Sequence, residues 1–158
     1  MIQLALFEYI PKRNLRRASF EQQATRRMIL GFKDGHNVYT RWAAQEVCRA
    51  LRLMDLTDIV LVCVPASTSC RHVRRWKRFA QLVCRQTGMQ NGFDRVQVSG
   101  SRKRAHVTGE HELCANIKHY VHDDNDFFRG KNVLVIDDIY TTGQSSRAFI
   151  GAMQAAGA

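Results

Sequence analysis

Apolar positions along the chain fall into two kinds of pattern, one recurring every three to four residues and one unbroken. Phe20, Ala24, Met28 and Phe32 recur at helical spacing behind Ser19, and Gln22, three residues after that serine, completes a capping box. This predicts a first helix from about Ser19 to Gly31. After the turn Lys33-Asp34-Gly35-His36-Asn37, Ala43, Val47, Ala50 and Met54 mark a second core-facing helix. Val73, Trp76, Ala80, Val83 and Thr87 alternate steps of three and four and mark a third. Ile59-Val60-Leu61-Val62-Cys63-Val64 is an unbroken run stopped by Pro65, and Val133-Leu134-Val135-Ile136 is a second that stops at Asp137. Runs without polar alternation suit strands buried on both faces, as in a parallel sheet covered by helices. Phe93 to Val98 is a further candidate strand, Glu112 to Val121 a further helix, and one more helix opens near Gly143.

Strands alternating with helices predict the α/β class, with a doubly wound, mostly parallel sheet flanked by helices and ligands bound beyond the carboxyl ends of the strands. The length of 158 residues suits one domain, with residues 1–18 as a basic lead-in (Lys12, Arg13, Arg16, Arg17) and 19–158 as its body. A content of 45% hydrophobic and 24% charged residues, with only two prolines, excludes wholesale disorder. The opening Met-Ile-Gln-Leu-Ala-Leu-Phe-Glu has no basic first region, and no later apolar run approaches the ~18 residues of a membrane span, so a cytoplasmic protein with no membrane partner is the expectation.

The five cysteines (Cys48, Cys63, Cys70, Cys84, Cys114) are odd in number and form no Cys-x-x-Cys pair; reduced thiols are expected, with Cys63 and Cys84 in the core. A formal charge of +10 points to anionic partners: nucleic acid, polyphosphate or a phosphorylated metabolite. Charge alone does not choose among them.

Residues 133 to 146, Val-Leu-Val-Ile-Asp-Asp-Ile-Tyr-Thr-Thr-Gly-Gln-Ser-Ser, read as a buried strand, two acids, a hydroxyl-rich turn with glycine, and the start of a helix. Asp137 and Asp138 at a strand end suit hydrogen bonds from neighbouring sugar hydroxyls, and their charge favours a nearby magnesium ion, held indirectly through the sugar or water. Thr141, Thr142, Gly143, Gln144 and Ser145 suit a phosphate at a helix N-terminus, with Gly143 allowing close backbone approach. The plainer alternative is an acidic pair that only caps a helix.

This stretch closely resembles the phosphoribosyl-pyrophosphate motif of the type I phosphoribosyltransferases. Tyr140 stands where many members have an aliphatic residue and Gln144 where glycine or alanine is usual. Phe32-Lys33-Asp34-Gly35 and Val64-Pro65-Ala66-Ser67-Thr68 extend the resemblance, towards the ComF-like branch, over about residues 19 to 158. It implies a phosphoribosyltransferase-like domain over 19–158 and transfer of phosphoribosyl from phosphoribosyl pyrophosphate to a nitrogen nucleophile, such as a nucleobase, with magnesium as cofactor. It also implies pyrophosphate binding by Ala66, Ser67, Thr68 and Ser69. Many ComF-like proteins carry an N-terminal zinc-finger pair of Cys-x-x-Cys motifs; none is present, so no structural zinc is expected. Related proteins continue into another strand beyond the point where this chain stops, which implies either a fragment or a C-terminally shortened sheet.

Arg71, Arg74, Arg75, Lys77 and Arg78 interleave with Trp76 on the third helix. Such a run is a solvated basic face, a pyrophosphate contact, for which the resemblance favours Arg75, or a contact with nucleic-acid phosphates. Gly100-Ser101-Arg102-Lys103-Arg104-Ala105-His106 falls where the family has a mobile loop that closes over the site. Arg102 and Lys103 are then candidate substrate contacts and Arg104 and His106 candidate catalytic groups, against the alternative of an ordinary exposed basic loop. His119 and His122, one helical turn apart, and Asp123, Asp124 and Asp126 are expected at the surface. The acceptor is not specified by any residue. Open alternatives are a non-catalytic protein that binds single-stranded nucleic acid and a regulator that senses phosphoribosyl pyrophosphate; a homodimer is also compatible with the resemblance.

Overall fold

The structure is a computed structural model that describes residues 4–99, 118–121 and 126–158. The Gln22 backbone N–H donates to Ser19 Oγ at 3.2 Å and the Ser19 N–H donates to the Gln22 side chain at 2.9 Å, so the capping box forms and helix α1 spans Phe20–Lys33. Its buried residues, Ile29, Gly31 and Phe32, lie near the C-terminal end, whereas Phe20, expected in the core, is 83% exposed. Helix α2 (Asn37–Leu51) buries Thr40, Ala43, Ala44, Cys48 and Leu51. The expected stripe is therefore displaced: Ala50 faces water, and Met54 lies exposed beyond the helix end, because packing on α4, not apolar character alone, sets the buried face.

Strand β1 (Ile59–Cys63) is followed by one long helical run made of α3 (Ser69–His72), a π-helical turn (Val73–Lys77) and α4 (Arg78–Thr87). The widened turn brings both Arg75 and Trp76 inward. Trp76 meets Phe32 and Phe79 at ring-centroid distances of 5.3 and 5.5 Å, which ties α1 to α4 through an aromatic cluster. Strand β2 is only Gln90–Asn91. The strand expected from Phe93 begins at Val96, because Phe93–Arg95 forms a 3-10 turn that buries Phe93. Strand β3 (Val96–Ser99) pairs antiparallel with β4 (Lys118–Val121), so the end of the segment expected as a helix over Glu112 to Val121 is a strand. The remainder of that segment, and the loop from Gly100 to His111, lie outside the described residues.

Strand β5 (Asn132–Ile136) runs parallel to β1 with Val60 opposite Val133 and Cys63 opposite Ile136, and helix α5 (Gln144–Ala155) follows. Order β2-β1-β5 makes a small parallel sheet flanked by helices, a mixed α/β architecture. Alternation along β1 separates the core into two layers. Leu61 and Cys63 pack with α2 and α4, whereas Val60 and Val62 pack with Phe149 and Met153 of α5. Residues of β5 are only half-buried, since among the described residues β1 is its one neighbour.

Cys63 is buried as expected, and Cys84 is half-buried against the same core, its thiol pushed up to about 11 by burial and by the nearby Cys48. The basic lead-in forms a 3-10 turn (Lys12–Arg17), and just before it the Ile10 carbonyl accepts from Arg26 Nε at 2.9 Å while Phe7 stacks near Trp42 at 5.1 Å. Among the described residues no helix is long and apolar enough to cross a membrane.

Candidate functional site

The carboxyl ends of β1 and β5 lie side by side, and the Val64 N–H extends their pairing by donating to the Ile136 carbonyl at 2.8 Å. Beyond that point the two chains diverge, one towards the helices on one face of the sheet and the other towards α5 on the opposite face. Such a divergence marks the crevice position at the strand ends where α/β sheets usually bind ligands. The loop of residues 64–68 and the turn of residues 137–143 leave the two strands at this end.

Asp137 and Asp138 leave β5 into this crevice, and each is already engaged. Asp137 accepts from Ser146 Oγ at 2.6 Å through one oxygen and from the Asp138 backbone N–H at 2.8 Å through the other. Burial pushes the Asp137 carboxyl above the ordinary carboxylate range; the Ser146 hydrogen bond opposes that rise and the charge of Asp138 adds to it. The Asp138 side chain, 7% exposed, forms an ion pair with Arg75 Nη1 at 2.5 Å and has Lys33 Nζ at 3.9 Å from the same oxygen.

Arg75 is 8% exposed and also donates through Nε to the Lys33 carbonyl at 2.9 Å. It is therefore directed at Asp138 and the end of α1, while Arg74, Lys77 and Arg78 face solvent. The basic run thus divides. Phe32-Lys33-Asp34-Gly35 explains the docking: Phe32 fills the aromatic cluster, Lys33 engages Arg75 and Asp138, and Gly35 turns the chain at φ 77° against Arg74. A Cβ at Gly35 would lie 2.8 Å from the Arg74 carbonyl oxygen, so backbone meets backbone here.

In the first loop Ala66 is buried, Ser67 and Thr68 are half-buried and Ser69 is exposed. Ser67 Oγ accepts from Arg71 Nη1 at 2.9 Å, and Thr68 Oγ accepts the Arg71 N–H at 3.3 Å, capping α3. In the second, Thr141, Thr142, Gln144 and Ser145 are exposed around the buried Gly143, whose φ of 72° starts α5. The Tyr140 ring lies against Gly143, where any Cβ would collide with its hydroxyl. Arg147 donates to the Thr142 carbonyl at 2.6 Å and braces the turn.

The structure thus brings Asp137, Asp138, Arg75 and both loops to one end of the sheet. Arg102, Lys103, Arg104 and His106 lie outside the described residues, as do Cys114, His122, Asp123 and Asp124. His119 lies on strand β4 rather than on a helix, and Asp126 is exposed beside Arg129 at 3.4 Å. Three participants went unassigned by sequence reasoning: Lys33, Ser146 and Arg147. Lys33 and Ser146 sit inside segments whose resemblance was noted, and that placement was the available signal; Arg147 follows the second of them directly.

Among the described residues no group of three or more His, Cys, Asp or Glu side chains is arranged to hold a metal ion. Asp137 is engaged by Ser146 and Asp138 by Arg75, so neither carboxylate is an unencumbered direct ligand for a cation. Comparison with family models, curated proteins and solved structures finds no match to the chain.

Proposed function

We propose that the chain is a type I phosphoribosyltransferase-like protein that transfers the phosphoribosyl group of phosphoribosyl pyrophosphate to a nitrogen nucleophile. The observation that carries this reading is the convergence of the Asp137-Asp138 pair, the Ser67-Thr68 loop and the N-terminus of α5 at the ends of neighbouring parallel strands. Each has a use. Asp137 and Asp138, held by Ser146 and Arg75, keep lone pairs for the ribose hydroxyls. The first turn of α5 offers backbone N–H groups to the 5′-phosphate, and the residue 66–69 loop faces the pyrophosphate.

In the reaction the bond from C1′ to the pyrophosphate oxygen breaks with its electron pair leaving on pyrophosphate. The acceptor nitrogen forms the new bond to C1′ and loses a proton. Positive charge develops on the ribose ring, and the carboxylates at the strand end stabilise it electrostatically. The 5′-phosphate contacts supply binding energy remote from the reacting carbon, used for orientation. A magnesium ion, if bound, would be held by Asp137 and Asp138 indirectly, through ribose or water, and would supply neutralisation of leaving-group charge.

Calorimetric titration with phosphoribosyl pyrophosphate and magnesium tests the reading. Binding by the wild type that is lost in a folded Asp137→Asn/Asp138→Asn variant supports it and leads to nucleobase screening for pyrophosphate release; no binding by folded wild type refutes it. A second reading, binding of single-stranded nucleic acid, has its own support. The helical run Ser69–Thr87 contains no acidic residue, and Arg74, Lys77, Arg78 and Arg85 along it are exposed. A steep fall in oligonucleotide affinity with salt, removed by neutralising those four, is the expected signature.

A further inference from the structure

We infer that Lys33, at the end of α1, is the pyrophosphate-contacting cation of the crevice, in place of Arg75. The inference rests on the phosphoribosyltransferase reading of the site. Arg75 is largely committed within the protein: Nη1 pairs with Asp138 at 2.5 Å, Nε donates to the Lys33 carbonyl at 2.9 Å, and only 8% of the residue is exposed. Removing it from that setting would leave the Asp138 carboxylate buried without its closest partner.

Lys33 is placed differently. Its ammonium is 3.9 Å from the same Asp138 oxygen, at the outer limit of an ion pair, and its side chain is 41% exposed. Arg75 already neutralises Asp138, so Lys33 adds a positive charge beside a neutral pair. Counting Asp137, the cluster holds two cations and two acids, and the half-exposed Lys33 ammonium is the positive charge open to an anion arriving from the solvent side. The backbone of Lys33 is fixed by Arg75, whereas its four-carbon stem lets the ammonium move towards a ligand. Arg71, with one nitrogen on Ser67, adds a second cation at the residue 66–69 loop.

The plainer role for a lysine at this position is to complement the carbonyl end of α1. That role predicts a small stability change and no preference among ligands. A pyrophosphate contact predicts a selective loss, so the test compares three probes in the presence of magnesium: inorganic pyrophosphate, ribose 5-phosphate and phosphoribosyl pyrophosphate. Lys33→Met keeps the stem and the carbonyl that holds Arg75. It is expected to weaken pyrophosphate and phosphoribosyl pyrophosphate by about tenfold or more, the effect of losing one charge-assisted contact. Ribose 5-phosphate affinity is expected to stay within about twofold, with an unchanged melting temperature, and Lys33→Arg is expected to restore most of the loss.

Equal weakening of all three probes, or weakening of none, overturns the assignment. Wild-type protein that binds inorganic pyrophosphate but neither phosphoribosyl pyrophosphate nor ribose 5-phosphate, with the loss on Lys33→Met retained, upholds Lys33 as an anion contact while refuting the transferase reading. Wild-type protein that binds none of the three refutes both.

Discussion

Arg75 Nη1 stands 2.5 Å from Oδ2 of Asp138, with both side chains almost wholly removed from solvent. The arginine that the resemblance favours as a pyrophosphate contact is also the partner of an acid just beyond a strand remote in the chain. The pair joins the π-helical turn after α3 to the carboxyl end of β5, and through Nε it also reaches the last carbonyl of α1.

Arg75→Met is expected to cost about 3 kcal/mol or more, because it strands a buried carboxylate whose nearest remaining cation is 3.9 Å away. The double variant Arg75→Met/Asp138→Asn removes the charge as well and is expected to recover part of that loss. Urea unfolding of the wild type, both single variants and the double gives the coupling; strict additivity would mean that the pair contributes nothing as a pair.

Asp137 should give the protein a measurable acid-side gain. Its folded-state carboxyl titrates above the ordinary range because it is buried, so the native state binds its proton more tightly than the unfolded chain does. Stability from this group is fully present below the unfolded value of about 4 and is lost as pH rises through the raised folded value. Relative to Asp137→Asn, the wild type is therefore expected to gain stability as pH falls from neutrality, levelling off near pH ~4. Urea midpoints of both proteins across that range check the sign.

Gln144 is the first residue of α5 and is exposed. Gln144→Glu adds a negative charge where the helix dipole favours one, so a gain of about 0.3–1 kcal/mol in stability is expected at low salt. The same charge repels a 5′-phosphate at that helix start. Higher melting temperature with lost ribose 5-phosphate binding is the expected combination; unaltered binding would remove the N-terminus of α5 from the site.

Gly143 carries two separate restraints, a φ of 72° and the Tyr140 ring against its α-carbon. Gly143→Ala is expected to destabilise by about 1 kcal/mol or more from the backbone conformation alone, with the collision added. Tyr140→Ala should relieve only the collision. Thermal unfolding of the two single variants and their combination separates the two contributions, and full rescue by Tyr140→Ala would show that conformation at 143 is unimportant.

Features encoded by near neighbours were legible in the sequence. Ser19 and Gln22 cap each other three residues apart, and the apolar runs of β1 and β5 needed only the absence of polar alternation. What depended on remote contacts was less so. Ala50 and Phe20 fit a helical period as well as the residues that are buried, and only packing against other elements chose between them. The π-helical turn leaves the spacing of Val73, Trp76 and Ala80 compatible with an ordinary helix, so nothing local announced that Arg75 turns inward. Ser146 was visible as a helix-start serine, whereas its bond to Asp137 required the turn through Gly143. Tyr120 and Val121 suit a strand, but their pairing with Val96 and Gln97 lies across a long stretch of chain.

The contact between Gly35 and Arg74 has a thermodynamic consequence. Because the end of α1 can meet the π-helical turn only when the chain has closed backbone to backbone there, the crevice is a property of the native ensemble alone. Any molecule it captures draws the unfolding equilibrium back by mass action, by about 2.7 kcal/mol at a free concentration one hundred times its dissociation constant. Heat resistance in the presence of a candidate acceptor or phosphate ester thereby becomes a direct reading of affinity, and substrates can be ranked before any turnover is detected.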